Sequence, residues 1–205
     1  MQQSSHTILI IMASLLSMLL GGCKGADTRQ QTPSADAFLS EEQQRSIMSR
    51  TGWSSDIVCY IRSMEEAEIY IGAHLVERNV GGRPALVRSD IDWRDYPCRH
   101  QWLKEKLSDW ESWQDYNNAD LIGEGYPPRD KHGDPYELHH IGQLQDSPYA
   151  ELTWQEHMGD GNNAILHPKR ESTIDRQQFE SEKSAYWQAR FALFTQQEKR
   201  DIYRR

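Results

Sequence analysis

Cysteine is scarce in this 205-residue chain, which contains three, at Cys23, Cys59 and Cys98. None lies close in sequence to residues 137–167, where four of the eight histidines fall, and this disfavours a structural zinc site there, because such sites often use cysteine. The chain also lacks a surplus of positive charge, since its formal net charge at pH 7 is −8. That balance is unfavourable for tight, nonspecific binding of a phosphate backbone through charge alone.

Long hydrophobic runs are absent beyond the N-terminus, and the mean hydropathy of −0.82 excludes a further membrane span. The run at residues 8–20 has the length of a signal-peptide core and is too short to cross a bilayer. It leads into Gly21-Gly22-Cys23, which resembles the lipobox of bacterial lipoproteins. The resemblance implies a lipoprotein signal peptide over residues 1–22 and lipidation of Cys23. An ordinary secretory signal with an incidental cysteine is the alternative.

Residues 23–37 are rich in Gly, Ser, Thr, Gln and Pro, and this composition predicts a flexible tether. We therefore expect an exported lipoprotein that is attached to the membrane by the lipid anchor at Cys23. Lys24 stands where an aspartate would be the usual signal for retention in the inner membrane. The expected location is the periplasmic face of the outer membrane, if the source has one.

An exported chain also meets an oxidising compartment, which bears on the two cysteines that remain after Cys23 is lipidated. Cys59 and Cys98 are predicted to form a disulfide, because disulfides persist in such compartments. Two buried free thiols are the alternative, since sequence does not show whether the bridging geometry is allowed.

The chain after the tether is long enough for one domain with a small N-terminal lobe. We assign residues 38–122 to an α+β lobe whose role is packing, and residues 123–205 to a second domain. Within the lobe we predict a helix over residues 41–48 and a strand over residues 57–61.

Two further signals in the lobe concern a helix start and a turn. Ser63 and Glu66 have the spacing of a capping box, so a helix is expected from there through Val76. Gly81-Gly82 then predicts a turn into a following strand.

Residues 92–116 are rich in aromatic side chains, and two interpretations are open. Trp102, Trp110 and Trp113 alternate with charged residues at near-helical intervals, which favours a helix facing the core. The alternative is a platform on which nucleic-acid bases stack.

The histidine-rich stretch predicts a hairpin followed by a helix. Residues 136–141 and 149–152 are expected to form paired strands, and Thr153 with Glu156 has the spacing of a capping box for a short helix that carries His157. Adjacent histidines on a strand point to opposite faces, so one of His139 and His140 can bind a metal while the other accepts a proton. The expected fold class is α+β, with a ββα-metal unit, a long C-terminal helix and the small α+β N-terminal lobe.

The ordered string Glu-Leu-His-His-Ile-Gly-Gln, Pro-x-Ala-Glu-Leu-Thr, Glu-His and Asn-Asn-x-Ile-Leu-His resembles the LHH family of HNH/endonuclease-VII-type nuclease toxins. The similarity is strong over residues 124–190 and fainter over residues 51–91. It implies a metal-dependent endonuclease whose favoured substrate is DNA. It also implies that the protein is a bacterial toxin, with a cognate immunity protein as a partner. Degradation of foreign DNA is another role, and a non-catalytic lipoprotein that binds a metal or a partner is the alternative of a different class.

The resemblance also implies roles for individual residues. It assigns His139 to one divalent metal ion and His140 to general-base duty, and physics supports this split because a neutral imidazole accepts a proton near pH 7. His157 and His167 are the candidates to complete the metal site, and imidazole ligands suit Zn, Ni, Co or Mn better than a bare Mg site. Asn163 is expected to orient the base or to cap the next helix, and we count it with His140 as catalytic. Asn162 and Gln143 are expected to support the site in the same way.

The last predicted element is a long helix from residue 171 onward, capped at Ser172. Phe179, Tyr186 and Leu193 lie one heptad apart on one of its faces. Basic residues precede and line the helix. They form either a mixed-charge solvated surface or a local patch that accepts a phosphate backbone, and neither interpretation dominates.

Overall fold

A four-stranded mixed sheet lies at the centre of the computed structural model, which describes residues 38–97, 114–169 and 173–204. The strands are β1 (Val76–Val80), β2 (Arg83–Val87), β3 (Glu137–His140) and β4 (Tyr149–Leu152). Their order is β1-β2-β4-β3; β2 and β4 run parallel, while the β1–β2 and β3–β4 pairs are antiparallel. The predicted hairpin of residues 136–141 and 149–152 is therefore confirmed, with β3 one residue shorter at each end.

The glycine turn between β1 and β2 is also confirmed. Gly81 and Gly82 have φ values of 61° and 89°, a left-handed conformation that glycine adopts without the steric cost of a Cβ atom. The Asn79 side chain accepts a hydrogen bond from the Gly82 N–H at 2.9 Å and closes the turn.

Helices cover both faces of the sheet. They are α1 (Glu41–Thr51), α2 (Ser55–Val58), α3 (Met64–Gly72), α4 (Asn118–Gly123), α5 (Trp154–Met158), α6 (Asn162–Leu166), α7 (Arg176–Ala192) and α8 (Gln196–Ile202). One hydrophobic cluster joins α1, α2, α3 and α6 to the face that carries Leu86 and Ala150. A second cluster joins α4 and α7 to the opposite face, which carries Ala85 and Tyr149. This mixed arrangement confirms the α+β fold class.

The predicted strand over residues 57–61 is wrong, because this segment forms α2 and the turn that follows it. Ile57, Val58 and Ile61 are all fully buried, and their spacing places them on one side of a helical turn. The Ser54 N–H and hydroxyl both donate to the Glu77 carboxylate at 2.6 Å, which ties the start of α2 to β1. β-branched residues suit a buried helix or a strand, and here tertiary packing decided between them.

The helix predicted to begin at Ser63 ends earlier than expected. Ser63 does cap it, accepting from the Glu66 N–H, but α3 stops at Gly72 and Val76 already belongs to β1. His74 has a φ of 53°, a left-handed conformation that interrupts the helix. The capping box is only half formed, because the Glu66 side chain turns into the protein.

The long C-terminal helix starts later than predicted. Residues 170–172, which include Ser172, lie outside the described residues, and α7 begins at Arg176 with Asp175 as its cap. The Asp175 carboxylate accepts from the N–H groups of Gln177 and Gln178 at 2.9 and 3.0 Å, a typical N-cap arrangement. Of the residues predicted to share one face of this helix, Tyr186 is buried, whereas Leu193 is 41 % exposed and lies beyond the end of α7.

Several other predictions concern residues outside the described part of the chain. The signal peptide, Cys23, Cys98 and the tryptophans at 102, 110 and 113 all fall there, so lipidation, the Cys59–Cys98 disulfide and the aromatic helix stay predictions. The boundary after residue 122 also stays a prediction, although strands from both sides of it share the sheet. Across residues 38–97, 114–169 and 173–204, no helix has the length and apolar character needed to span a membrane.

Candidate metal centre and active site

Three histidines from different elements meet on the sheet face that α3 and α6 cover. His139 comes from β3, His157 from α5, and His167 follows directly after α6. The capping box of α5 is confirmed in full, because Thr153 and Glu156 each accept the other's N–H, at 3.2 Å for the threonine hydroxyl and 2.7 Å for the carboxylate. These caps start a helix of five residues at the position that presents His157 to the other two rings.

The three imidazoles converge through one nitrogen each. His139 Nδ1 lies 3.1 Å from His157 Nε2, which lies 3.2 Å from His167 Nε2. One ligand nitrogen from each ring falls within 4.8 Å of the others, so the three residues can hold a metal ion together. A set of three histidines leaves one position of a tetrahedral site open, which is typical of catalytic zinc sites and not of structural ones.

Hydrogen bonds fix which nitrogens face the centre. His157 Nδ1 contacts the Glu137 carboxylate, and His167 Nδ1 lies 3.2 Å from the Asn163 carbonyl oxygen. Because both acceptors require a proton on Nδ1, the two Nε2 atoms carry lone pairs, and they face each other at 3.2 Å. A cation between them satisfies both, so the donor set fits a divalent metal, and the carboxylate behind His157 has the usual arrangement for orienting a ligand.

Burial favours the neutral, ligand form of His139 and His167. It is the largest cause that lowers the pKa of His139 well below its usual value, and the charges of His157 and His167 act in the same direction. Burial likewise lowers the pKa of His167, followed by the charge of His157. His139 Nε2 is buried and has no hydrogen-bond partner among the described residues.

His140 occupies the opposite face of β3, as the alternation of a strand predicts. Its ring packs against Tyr149, its cross-strand partner, at 4.8 Å between centroids and against Phe179 of α7 at 4.5 Å. Only 1 % of the residue is exposed, and neither ring nitrogen makes a hydrogen bond within the described residues. Burial, with the nearby charge of Arg83, lowers the pKa of His140 to about 4, and the negative charge of Glu182 opposes this shift in part.

The three residues expected to orient the base or cap the next helix have other surroundings than the His140 ring nitrogens. Asn163 is exposed, and its backbone carbonyl, not its side chain, serves His167. The Asn162 amide donates to the Glu156 carbonyl at 3.0 Å and so links α5 to α6. Gln143 is half-buried at the end of a short 3-10 turn (Ile141–Gln143), with a φ of 57°. None of the three hydrogen-bonds to the His140 ring.

Sequence reasoning missed the role of Glu137, although its signal was available. Residues two apart on a strand share a face, so Glu137 and His139 point to the same side as His157. The carboxylate could have been assigned from that spacing once the short helix after Thr153 was in place.

Glu66 was assigned only to helix capping, yet it holds the turn after His140. Its carboxylate accepts from the Gly142 N–H at 2.8 Å, the Arg62 N–H at 2.8 Å and the Tyr70 hydroxyl at 2.7 Å. Burial raises the pKa of Glu66, and these donors oppose the shift. Arg62 Nε donates in turn to the Gly142 carbonyl at 2.5 Å. No local pattern could reveal these contacts, because Gly142 lies 76 residues from Glu66.

Comparison with known proteins agrees with this geometry. Residues 117–192 match the model of a family described as LHH, a nuclease of the HNH/ENDO VII superfamily with conserved LHH. The match covers less than half of the chain and includes the Leu-His-His at residues 138–140. It supports an HNH/endonuclease-VII-superfamily nuclease domain at residues 117–192, and hence a hydrolase that acts on nucleic acids. Neither a curated protein nor a solved structure matches the chain.

Proposed function

We propose that this protein is a metal-dependent endonuclease that hydrolyses phosphodiester bonds in DNA. The observation that carries the proposal is the convergence of His139, His157 and His167 on one point, with His140 one residue along the same strand. DNA in preference to RNA follows only from the resemblance to nuclease toxins.

His139, His157 and His167 would hold one divalent ion of the Zn, Ni, Mn or Mg class. Such an ion, when bound, neutralises charge on the scissile phosphate and on the departing oxygen. Glu137 and the Asn163 carbonyl keep the ligand nitrogens turned toward the centre, so the protein supplies the orientation in advance.

His140 is the proposed general base. Its ring nitrogens have no competing hydrogen bonds among the described residues, and a neutral imidazole can take a proton from an attacking water. The ring is 1 % exposed, and burial lowers its pKa to about 4, which makes it a weak base in this conformation. The role therefore requires Phe179 or a neighbouring segment to move when the nucleic acid binds, so that water reaches the ring and its pKa rises.

Positive side chains close to the two histidine sites support a nucleic-acid substrate despite the net charge of −8. The charge of Arg83, which also pairs with Glu182 at 3.7 Å, acts on His140, and the charge of Arg176 acts on His167. Local cations of this kind can contact a phosphate backbone even where the whole chain is acidic.

One observation favours a second candidate, a non-catalytic protein that keeps the fold and binds a metal or a partner. His140 is enclosed by Tyr149 and Phe179, an environment that also suits an imidazole used only for packing. In that case the three-histidine centre would bind metal while the chain cleaves nothing.

Plasmid nicking separates the two candidates. We expect cleavage with an added divalent metal, loss of cleavage with a chelator, and loss in His139→Ala. The matched control is His132→Ala, since His132 is an exposed loop histidine away from the cluster. Metal binding without cleavage under any metal would favour the second candidate, and cleavage that survives chelation would contradict the proposal.

We further propose that the protein is exported and anchored through Cys23, with a toxin or foreign-DNA-degrading role. An immunity protein is the partner that a toxin role would require. Cys23→Ser is expected to release the protein from the membrane fraction or leave its signal uncleaved. Unchanged fractionation of that variant would contradict the anchor.

A further inference from the structure

Arg88 lies directly after β2, outside the residues that match the nuclease family, and its side chain is only 7 % exposed. Its guanidinium group joins two carboxylates. Nη1 donates to Glu156 Oε2 at 2.5 Å, while Nε and Nη2 donate to the two oxygens of Asp90 at 2.8 and 2.7 Å. Such a fork of charge-assisted hydrogen bonds holds its partners in a defined direction.

The backbone of Arg88 is itself fixed from both sides. Its N–H donates to Glu151 Oε2 at 2.7 Å, and its carbonyl accepts from Arg190 Nη2 at 3.0 Å. Glu151 is fully buried and also accepts from Arg190 Nε at 3.0 Å and from the Tyr186 hydroxyl at 2.8 Å. The Arg88 side chain therefore extends from a point that β4 and α7 hold in place.

Glu156 connects the Arg88 side chain to the metal centre. It is the third residue of α5 and directly precedes His157, and the oxygen that contacts Arg88 also accepts the Thr153 N–H that begins the helix. A helix of five residues is not stable in isolation, so its position depends on such contacts. The Glu137 carboxylate contacts the His157 ring at Nδ1, while the backbone that carries the ring belongs to α5.

We propose that Arg88 is a positioning residue for the metal centre, which places His157 by anchoring the first turn of α5 through Glu156. The inference rests on the proposed function in one respect, namely that His157 is a metal ligand. It extends that function because it makes the N-terminal lobe, residues 38–122, a part of the metal site and not only a packing unit. Supporting contacts of this kind change metal affinity about 10- to 100-fold.

A purely structural role for Arg88 would lower stability without changing metal affinity in the folded protein. The two roles are therefore distinguished by titrating the purified chain with Zn²⁺ or Co²⁺ in a calorimeter, at a temperature where circular dichroism shows each variant folded. Visible absorption of the Co²⁺ form gives a second readout that reports the geometry of the ligands and does not depend on cleavage.

The variants are Arg88→Met, Arg88→Lys and Glu156→Gln. Glutamine still accepts the Thr153 N–H, so Glu156→Gln keeps the helix cap and removes only the charge that pairs with Arg88. The matched control is Arg50→Met, which removes a surface ion pair with Glu68 that does not touch the metal centre.

We expect metal affinity to fall about 10- to 100-fold in Arg88→Met and to stay unchanged in Arg50→Met. The fall should be smaller in Glu156→Gln and in Arg88→Lys, because the lysine ammonium keeps the positive charge but cannot hold both carboxylates as the guanidinium does. Excess metal should restore the occupied site in Arg88→Met. Unchanged affinity and an unchanged Co²⁺ spectrum in folded Arg88→Met would overturn the inference while leaving the proposed function intact. If Arg88→Met does not fold, unchanged affinity and an unchanged Co²⁺ spectrum in Glu156→Gln would overturn the inference instead. Absence of metal binding by the unaltered protein would overturn both.

Discussion

The two faces of β3 present their histidines in different ways. On one face the His139 ring points into a cluster whose nitrogens lie 3.1 and 3.2 Å apart, and a carboxylate and a carbonyl orient the neighbouring rings. On the other face the His140 ring makes no hydrogen bonds within the described residues and lies among Tyr149, Phe179 and the start of α7. A difference of one residue along a strand thus separates a convergent polar site from an aromatic enclosure.

This difference shows what each environment can do. Oriented lone pairs that meet at one point suit a metal ion, whereas an imidazole without competing hydrogen bonds suits proton transfer or simple packing. The separation depends on register, because a slip of one residue in the β3–β4 pairing would exchange the two faces. Each face is also tied to a buried carboxylate, Glu66 on the ligand side and Glu151 on the His140 side.

The largest effect on stability is expected on the His140 face. Glu151→Ala leaves the buried Arg190 without its carboxylate, and breaking a buried pair in this way costs about 3–5 kcal/mol. Urea denaturation measures the loss. The control is Glu41→Ala, which removes an exposed pair with Arg45 and should cost less than about 0.5 kcal/mol. Equal losses in the two variants would mean that Glu151 does not organise this face.

A smaller effect is expected where the chain leaves β3. Gly142 has a φ of 68°, and a Cβ atom there would lie 2.1 Å from the Tyr60 carbonyl oxygen. Gly52 has a similar φ of 75° but nothing within 4 Å of such an atom, so Gly52→Ala reports the backbone cost alone, about 1–2 kcal/mol. Gly142→Ala should be less stable by about a further 1–3 kcal/mol from overpacking. Thermal unfolding compares them, and equal melting temperatures would show that the turn is not constrained by the lobe.

The features of the two faces that depend on neighbouring residues in the sequence could be predicted, whereas those that depend on distant residues could not. The strands around His139 and the cap at Thr153 were predicted because alternation and the Thr-to-Glu spacing are local patterns. The strand over residues 57–61 was wrong because its apolar residues fit a helix equally well. The inward turn of Glu66 and the reach of Arg88 to α5 join residues far apart in sequence, so no window of sequence contains both partners.

The ligand face can be tested through Glu137 without touching a ligand. Glu137→Ala removes the carboxylate behind His157 and should weaken metal affinity about 10- to 100-fold, with Glu137→Gln in between because its amide oxygen still accepts a hydrogen bond. Calorimetric titration measures the change, and Glu124→Ala, an exposed glutamate after α4, is the control. Unaltered affinity in Glu137→Ala would show that the carboxylate does not orient the ring.

The smallest effect concerns Asp90, which shares the Arg88 guanidinium with Glu156. The hydrogen bond from Arg88 lowers the pKa of Asp90 below its usual 3.8, and burial opposes this only in part. Because the folded pKa is lowered, the stability that Asp90 contributes is present above its ordinary pKa and is lost as the pH falls through the folded value. The difference in melting temperature between the unaltered protein and Asp90→Asn should therefore be constant near pH 6 and shrink in strong acid. A difference that grows with acidification would contradict the ion pair.

The comparison between the two faces is tested most directly by His139→Ala and His140→Ala, studied side by side by metal titration and plasmid nicking. We expect His139→Ala to lose metal affinity, with partial rescue of cleavage by excess metal. His140→Ala should keep nearly full metal affinity and cleave about 10²- to 10⁴-fold more slowly, because it removes only the proton acceptor. Loss of metal binding in His140→Ala with retention in His139→Ala would contradict the assignment of the faces. Unchanged cleavage in His140→Ala would contradict its role as the base.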